Sequence, residues 1–500
     1  MSRKSYRSYD IYMRWSAPLL ALLLVQPILA DDPVLSAHAD IIAQPAAAAP
    51  LVRYLWLGNL PAAERSMAQA VLSFHVNSLS REPIIVRPAL VGGDLLRVSL
   101  ADYAWTPSVW EQLASADPYF HVKLEVLQPY GHRQPDGSFK ITETRKETQL
   151  ALAPWLQHQQ ALAQLVALTQ SQAPIVRADW FVYQTGAQFK RSPGYYDFLG
   201  VKDRDGFHKL VGLDLDGLKR FPKELREAVS ESGVSVQPRR IDAKATIGGR
   251  LWITSDVDLA SGAKDPLENP GDTFDATAHE EFGHAPNGLW YYGLFDAKGN
   301  RQDSAPDFVG YDHTSTTNNG KIEVFVSCVK CHGSNGGVNP ITAWYRGLTH
   351  PVQTIAPVEA VRLRRLLGSS LEEVEEWMED DRRVYSRAVK RANGLTVGDN
   401  AKLYAWLWNR YEAPVDAQRA AEELGTTKER LVKAIQHQLA ATGAVNIGLS
   451  AYEKGGRLPR RQWEERLALA HIYLKGVPDE AVKHHGHGAA LRDRSPKRRI

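Results

Sequence analysis

The sequence predicts an α+β protein, with a mixed N-terminal region, an irregular middle containing a β-hairpin, and a mostly α-helical final third. Three observations predict it. Before residue 175, short runs with strand alternation are interleaved with helical apolar periods; between about 175 and 275, Gly, Pro and Asp crowd the chain and long periods are missing; after residue 355, apolar periods follow capping signatures.

The elements follow in chain order. Residues 31–50 are Ala- and Pro-rich without a period and read as a linker, so order is expected from Leu51. Beyond Pro61, which suits a first helical turn, Met67, Val71 and Phe74 recur at helical spacing. Ile84–Val86 and Leu95–Leu100 read as strands on either side of Gly92-Gly93; in the second, Leu96, Val98 and Leu100 alternate with Arg97 and Ser99. Pro135-Asp136-Gly137 marks a polar hairpin, and a helix is expected over Trp155–Thr169. Aromatic Leu289–Phe295 reads as a strand ending in the turn residues Asp296-Ala297-Lys298-Gly299, and Ile322–Val326 as a second strand running into Cys328. Ser369 with Glu372 and Thr426 with Glu429 are capping-box pairs, the first ahead of the apolar stripe Leu371, Val374 and Met378.

These readings divide the chain into 1–30, a signal peptide; 31–50, the linker; 51–175, an N-terminal α/β region; 176–275, the irregular middle; 276–395, the motif-bearing region; 396–480, C-terminal helices; and 481–500, a basic tail. Arg3, Lys4, Arg7 and Arg14 precede the apolar run Ala17–Ala30, which Pro18 and Pro27 interrupt and which is too short for a continuous span, so export to the periplasm is expected. Removing residues 1–30 takes away four basic residues and one acid and brings the formal charge from +3 to zero. A balanced chain offers no electrostatic case for nucleic acid, and no later segment of the mature chain reads as a membrane span. The basic tail, with Arg492, Arg494, Lys497, Arg498 and Arg499, and the nearby His484, His485 and His487 read as a solvated terminus.

The chain has two cysteines, and they stand in Cys328-Val329-Lys330-Cys331-His332. A disulfide between cysteines three apart closes almost no loop and is a poor staple. Zinc needs about four ligands and no second cysteine pair exists; a thioredoxin-like dithiol would share the spacing but needs a surrounding βαβ pattern that is missing here. One covalently bound haem c accounts for all three residues, with Cys328 and Cys331 forming thioethers to the vinyl groups and His332 approaching the iron. Chance placement of this pattern is on the order of one in ten thousand. The glycine-rich residues after it reach Pro340, whose carbonyl would orient the His332 imidazole.

The second axial ligand decides between electron transfer and ligand chemistry. Met67 and Met378 are the methionines beyond the signal segment, and Met378 falls on an apolar stripe as a core residue would. His279, His284, His313 and His350 flank the motif, and His279 is the expected distal ligand. His279 and His284 are five apart, not the four of a zinc protease, so that reading is discarded. The 13 tryptophans read as core.

With His279-Glu280, Pro286-Asn287-Gly288-Leu289, Asp296–Arg301, Ala305-Pro306 and Val326-Ser327-Cys328 ahead of the histidine, the chain resembles large exported bacterial c-type cytochrome proteins with a single haem motif. Asn77–Arg81, Asp102–Trp105, Ala178–Phe181, Tyr411-Glu412 and Ala421–Gly425 extend that resemblance over most of the chain. It implies haem attachment at Cys328, Cys331 and His332 and a distal role at His279, and it carries no established activity. The expected function is periplasmic electron transfer to a redox partner protein through one haem c. The alternative is a peroxidase-like enzyme or gas sensor with an open iron position, where His279 and Glu280 would handle protons. A haem that is only an accessory to a binding protein is the third reading.

Overall fold

A computed structural model describes residues 32–119, 123–150, 158–189, 193–213, 225–229, 239–264, 276–312, 320–333 and 371–477. The signal-like segment, His313, Pro340, His350, the Ser369 cap, the C-terminal histidines and the basic tail lie outside them.

The chain folds as α+β. It opens with α1 (Pro33–Ile42), where Asp32 accepts from the N–H groups of Val34 and Leu35 and Pro33 occupies the first turn. The linker expectation is therefore corrected: Val34, Ala37 and Ile41 pack with Val52, Tyr54, Leu165 and Ile175 in a satellite core. The strand β1 (Val52–Trp56) leads through Pro61 into α2 (Ala62–Ser78), as the spacing predicts. Then come β2 (Ala89–Val91), β3 (Leu95–Ser99) and α3 (Pro107–Ala116), whose first turn is capped by Thr106. Ile84–Val86, expected as a strand, is irregular; Asn77 instead ties this stretch to α2 by bonds to both the N–H and the carbonyl of Val86.

The polar hairpin is present as β4 (Lys123–Arg133) and β5 (Phe139–Leu150), with Gly137 at φ 82° in its turn. After α4 (Gln159–Thr169), the short β6 (Ile175–Arg177) completes a sheet of order β2-β3-β1-β6, in which β1 runs antiparallel to β3 and parallel to β6. Three helices follow, α5 (Ala178–Thr185), α6 (Tyr195–Leu199) and α7 (Arg204–Leu210).

The middle of the chain is more regular than its composition suggests. β7 (Leu225–Val229), β8 (Arg239–Thr246), β9 (Gly249–Asp256), β10 (Ala278–His284) and β11 (Trp290–Asp296) form an antiparallel five-stranded sheet in chain order. Its β10–β11 turn carries Gly288 at φ 85°, a conformation that favours glycine. The outer edge of β11 is covered, because the hydroxyls of Tyr195 and Tyr196 accept from the N–H groups of Tyr292 (2.9 Å) and Leu294 (2.7 Å).

Ile322–Val326 is not a strand. It turns at Phe325, φ 68°, and enters α8 (Val326–Gly333), which carries the cysteine motif. The described residues from 371 on are mainly helical, as expected: α9 (Leu371–Asn393), α10 (Val397–Glu412), then β12 (Val415–Asp416), α11 (Ala417–Glu423), α12 (Lys428–Thr442), β13 (Val445–Asn446), α13 (Ile447–Ser450), β14 (Arg457–Leu458) and α14 (Arg460–Lys475). The cap of α12 is Thr427, one residue beyond the expected Thr426. One hydrophobic core runs from Leu55 to Val477. The four regions drawn between residues 51 and 480 thus share a core among the described residues, and β13 pairs back onto β4.

Candidate haem attachment site

The helix α8 has little intrinsic reason to form, being eight residues long with two valines and a glycine end. Its surroundings hold it on two sides. Val326, Val329 and Gly333 are buried, and Gly333 lies so close to α10 that a Cβ there would sit 1.9 Å from the Ala401 Cβ. The Val326 N–H donates to Gly186 O at 3.1 Å, tying the helix start to the end of α5. On a second side, Ser327 donates to Asp312 at 2.8 Å and Lys330 pairs with the same carboxylate at 3.8 Å. Phe325, a bulky residue with positive φ, is fixed by stacking on Tyr195 at 4.7 Å and by ring contacts with His75, Tyr292 and Tyr404.

The remaining side of α8 carries Cys328, Cys331 and His332, which at i, i+3 and i+4 share one helical face. The His332 imidazole lies against three aromatic rings of the five-stranded sheet: Phe282 at 4.7 Å, Tyr292 at 5.7 Å and Trp290 at 6.2 Å between centroids. Burial pushes the Cys328 thiol well above its usual range, and Glu280 adds to that. Dithiol exchange uses the opposite, a thiol lowered toward its thiolate.

Side chains alternate along β10. Phe282 faces α8, together with Glu280 and His284; His279 and Glu281 face the other way, toward α7. There Glu281 bonds Arg204 at 2.5 Å and His208 at 2.8 Å, while His279 Nδ1 meets Ser255 Oγ at 3.0 Å. Burial works to raise the Glu281 carboxyl, yet its bonds to His208 and Arg204 hold it below the usual range. Burial, aided by Arg204, lowers His279 to about 4, so it is neutral. The expected distal role of His279 is therefore corrected: the sheet itself separates it from His332.

The histidine on the α8 face of β10 is His284, and its nitrogens are engaged, Nε2 with Asp381 at 3.2 Å and Nδ1 with Gly288 O at 3.3 Å. Met378 is fully buried in the main core and Met67 is 38% exposed on α2. On the α8 face, Glu280 and Asp256 both bind the buried Arg239, at 2.9 and 2.7 Å. Burial raises Asp256 to about 7, against the pull of Arg239 and with a further push from Glu280.

The residues present suit a haem c. Two sulfurs and an imidazole share one face of a helix, the imidazole is backed by an apolar aromatic wall, and the indole Nε1 of Trp290 in that wall is buried without an acceptor among the described residues. Among the described residues, no group of three or more His, Cys, Asp or Glu converges as a site for a bare metal ion. The aromatic wall and the Asp312 anchor were not foreseen. The alternation in Trp290, Tyr292 and Leu294 was a signal for one side of the wall, whereas nothing local marks Phe282 or Asp312. Comparisons with protein-family models, curated proteins and solved structures find no match to this chain. Among the described residues, no helix is long and apolar enough to cross a membrane.

Proposed function

We propose that this is an exported single-haem c protein of the periplasm that transfers electrons, with the haem joined to Cys328 and Cys331 and the iron bound by His332. The observation that carries this reading is the shared helical face of those three residues, set against Phe282, Trp290 and Tyr292. When bound, the haem supplies a one-electron ferric–ferrous couple. The chain's own residues do the rest. Cys328 and Cys331 fix the group to α8, and α8 is fixed to α5 and α10. The aromatic wall packs on the half-buried His332 ring and shields it from water on that side, which limits the solvent reorganisation that accompanies a change of charge. A redox protein partner supplies and removes the electron.

A second reading keeps an open iron position and peroxidase-like or gas-binding chemistry. It is favoured by Glu280, which lies on the α8 face of β10 beside Arg239. Absorption spectra of the protein, made in a host with cytochrome maturation, separate the two. Low-spin bands indifferent to carbon monoxide and cyanide support electron transfer; a high-spin ferric band with rapid carbon monoxide binding supports the second. A colourless chain whose mass lacks a tetrapyrrole defeats both.

A further inference from the structure

Trp290 sits at the start of β11, 2% exposed, with its Nε1 lacking an acceptor among the described residues. Other indoles of the fold are satisfied: Trp105 donates to Leu79 O (2.9 Å), Trp110 to Ala173 O (3.0 Å), Trp252 to Asp381 (2.8 Å), Trp408 to Glu412 (3.2 Å) and Trp463 to Glu423 (2.7 Å). A buried donor left unmet is costly, and such groups in folded proteins call for an explanation.

The neighbours of the ring narrow the possibilities. Phe282 stacks on it at 4.4 Å, His284 and Tyr385 meet it edgewise at 5.3 Å each, and His332 lies 6.2 Å away. Phe282 has no acceptor, and the His284 nitrogens are taken by Asp381 and Gly288. The unmet donor therefore stands beside the residue expected to hold the iron. A haem c presents few strong acceptors at its edge. Its pyrrole nitrogens bind iron and its thioethers accept weakly, which leaves the two propionate carboxylates.

We propose that Trp290 is a cofactor-binding residue whose indole N–H donates to a propionate carboxylate of the bound haem, an inference that rests on the haem reading of Cys328, Cys331 and His332. The bond is charge-assisted, stabilises the ionised carboxylate and makes Trp290 a sensor of the haem edge.

The test uses the full-length holoprotein with its haem attached. Trp290→Phe keeps an aromatic ring and removes the donor; Trp252→Phe, whose donor already has Asp381, is the control. The midpoint potential is measured against pH for each. The expected result is that Trp290→Phe keeps the haem and moves the pH-dependent step of the potential upward by about one pH unit, as loss of one charge-assisted donor implies, while Trp252→Phe leaves it in place. A Trp290→Phe profile that superimposes on the wild type, or an equal shift in Trp252→Phe, overturns the proposal.

If Trp290→Phe does not accumulate, the ¹⁵N-labelled wild type is compared in both oxidation states. A slowly exchanging Trp290 indole signal, displaced between ferric and ferrous forms far more than that of Trp252, supports the bond, and a signal that exchanges freely overturns it. Absence of haem from the purified wild type would instead remove the reading beneath it.

Discussion

Asp117 ends α3 with one carboxylate oxygen accepting from the Tyr119 N–H at 2.8 Å and the other buried without a partner. Burial raises it to about 7, opposed by Arg177 and reinforced by Glu464 and Asp179. The folded protein therefore binds a proton that the unfolded chain, with an ordinary carboxyl near 3.9, has already lost. The contribution is present at low pH and is lost as pH climbs from about 4 to about 7. Asp117→Asn should accordingly gain stability relative to the wild type across that window, read as a rising difference in urea midpoint. His75 acts in the other direction: burial lowers it to about 3, so protonating it on acidification below its ordinary range near 6.5 favours the unfolded chain. At the same scale, His279→Ala should leave the visible spectrum of the haem-loaded protein unchanged, because its ring meets Ser255 on the far side of the sheet. A change from low to high spin would contradict that placement.

At the scale of elements, the decisive contact is that of α8 with α10. Gly333→Ala places a methyl on Ala401, and overpacking of this kind costs about 1–3 kcal/mol or more. The expected outcome is a lower denaturation midpoint together with a lower haem content per mole of chain, both measured on the purified variant. Elements with a clean local signal were legible in the sequence: the period of α2, the Pro-Asp-Gly hairpin, the aromatic alternation of β11 and the long C-terminal helices. β10 was hidden, because its His279, Glu280 and Glu281 look like a polar loop until Arg204, His208 and Arg239 neutralise them from distant parts of the chain. The apolar run before Cys328 read as a strand, since nothing local announces that Phe325 takes a left-handed turn under tertiary packing. The helix α1 was missed although Asp32-Pro33 is a cap signal, because its alanines blurred the apolar period.

Across the whole molecule, the first sheet and the last helices are joined by a buried ionic cluster. Glu423 on α11 accepts from Arg460 (2.9 Å), Trp463 (2.7 Å) and Tyr119 (3.1 Å), and it lies 3.8 Å from Arg177, which also pairs with Asp179 at 2.8 Å. Removing one charge from such a set leaves cations buried without balance, so Glu423→Gln should destabilise by about 3 kcal/mol or more, in chemical denaturation. The α+β class was legible because it needs only the order of element types. Which distant ions meet was not, since Arg177 and Glu423 meet in space but stand far apart in the sequence, and no local pattern links them.

The motif helix owes its shape to partners on both sides of it in the chain: the Gly186 carbonyl emerges early from the ribosome, whereas Ala401 emerges well after Cys331. During synthesis there is accordingly an interval when both thiols have appeared but the α10 surface that Gly333 packs on has not. Packing of the motif helix is therefore complete only once α10 has been made.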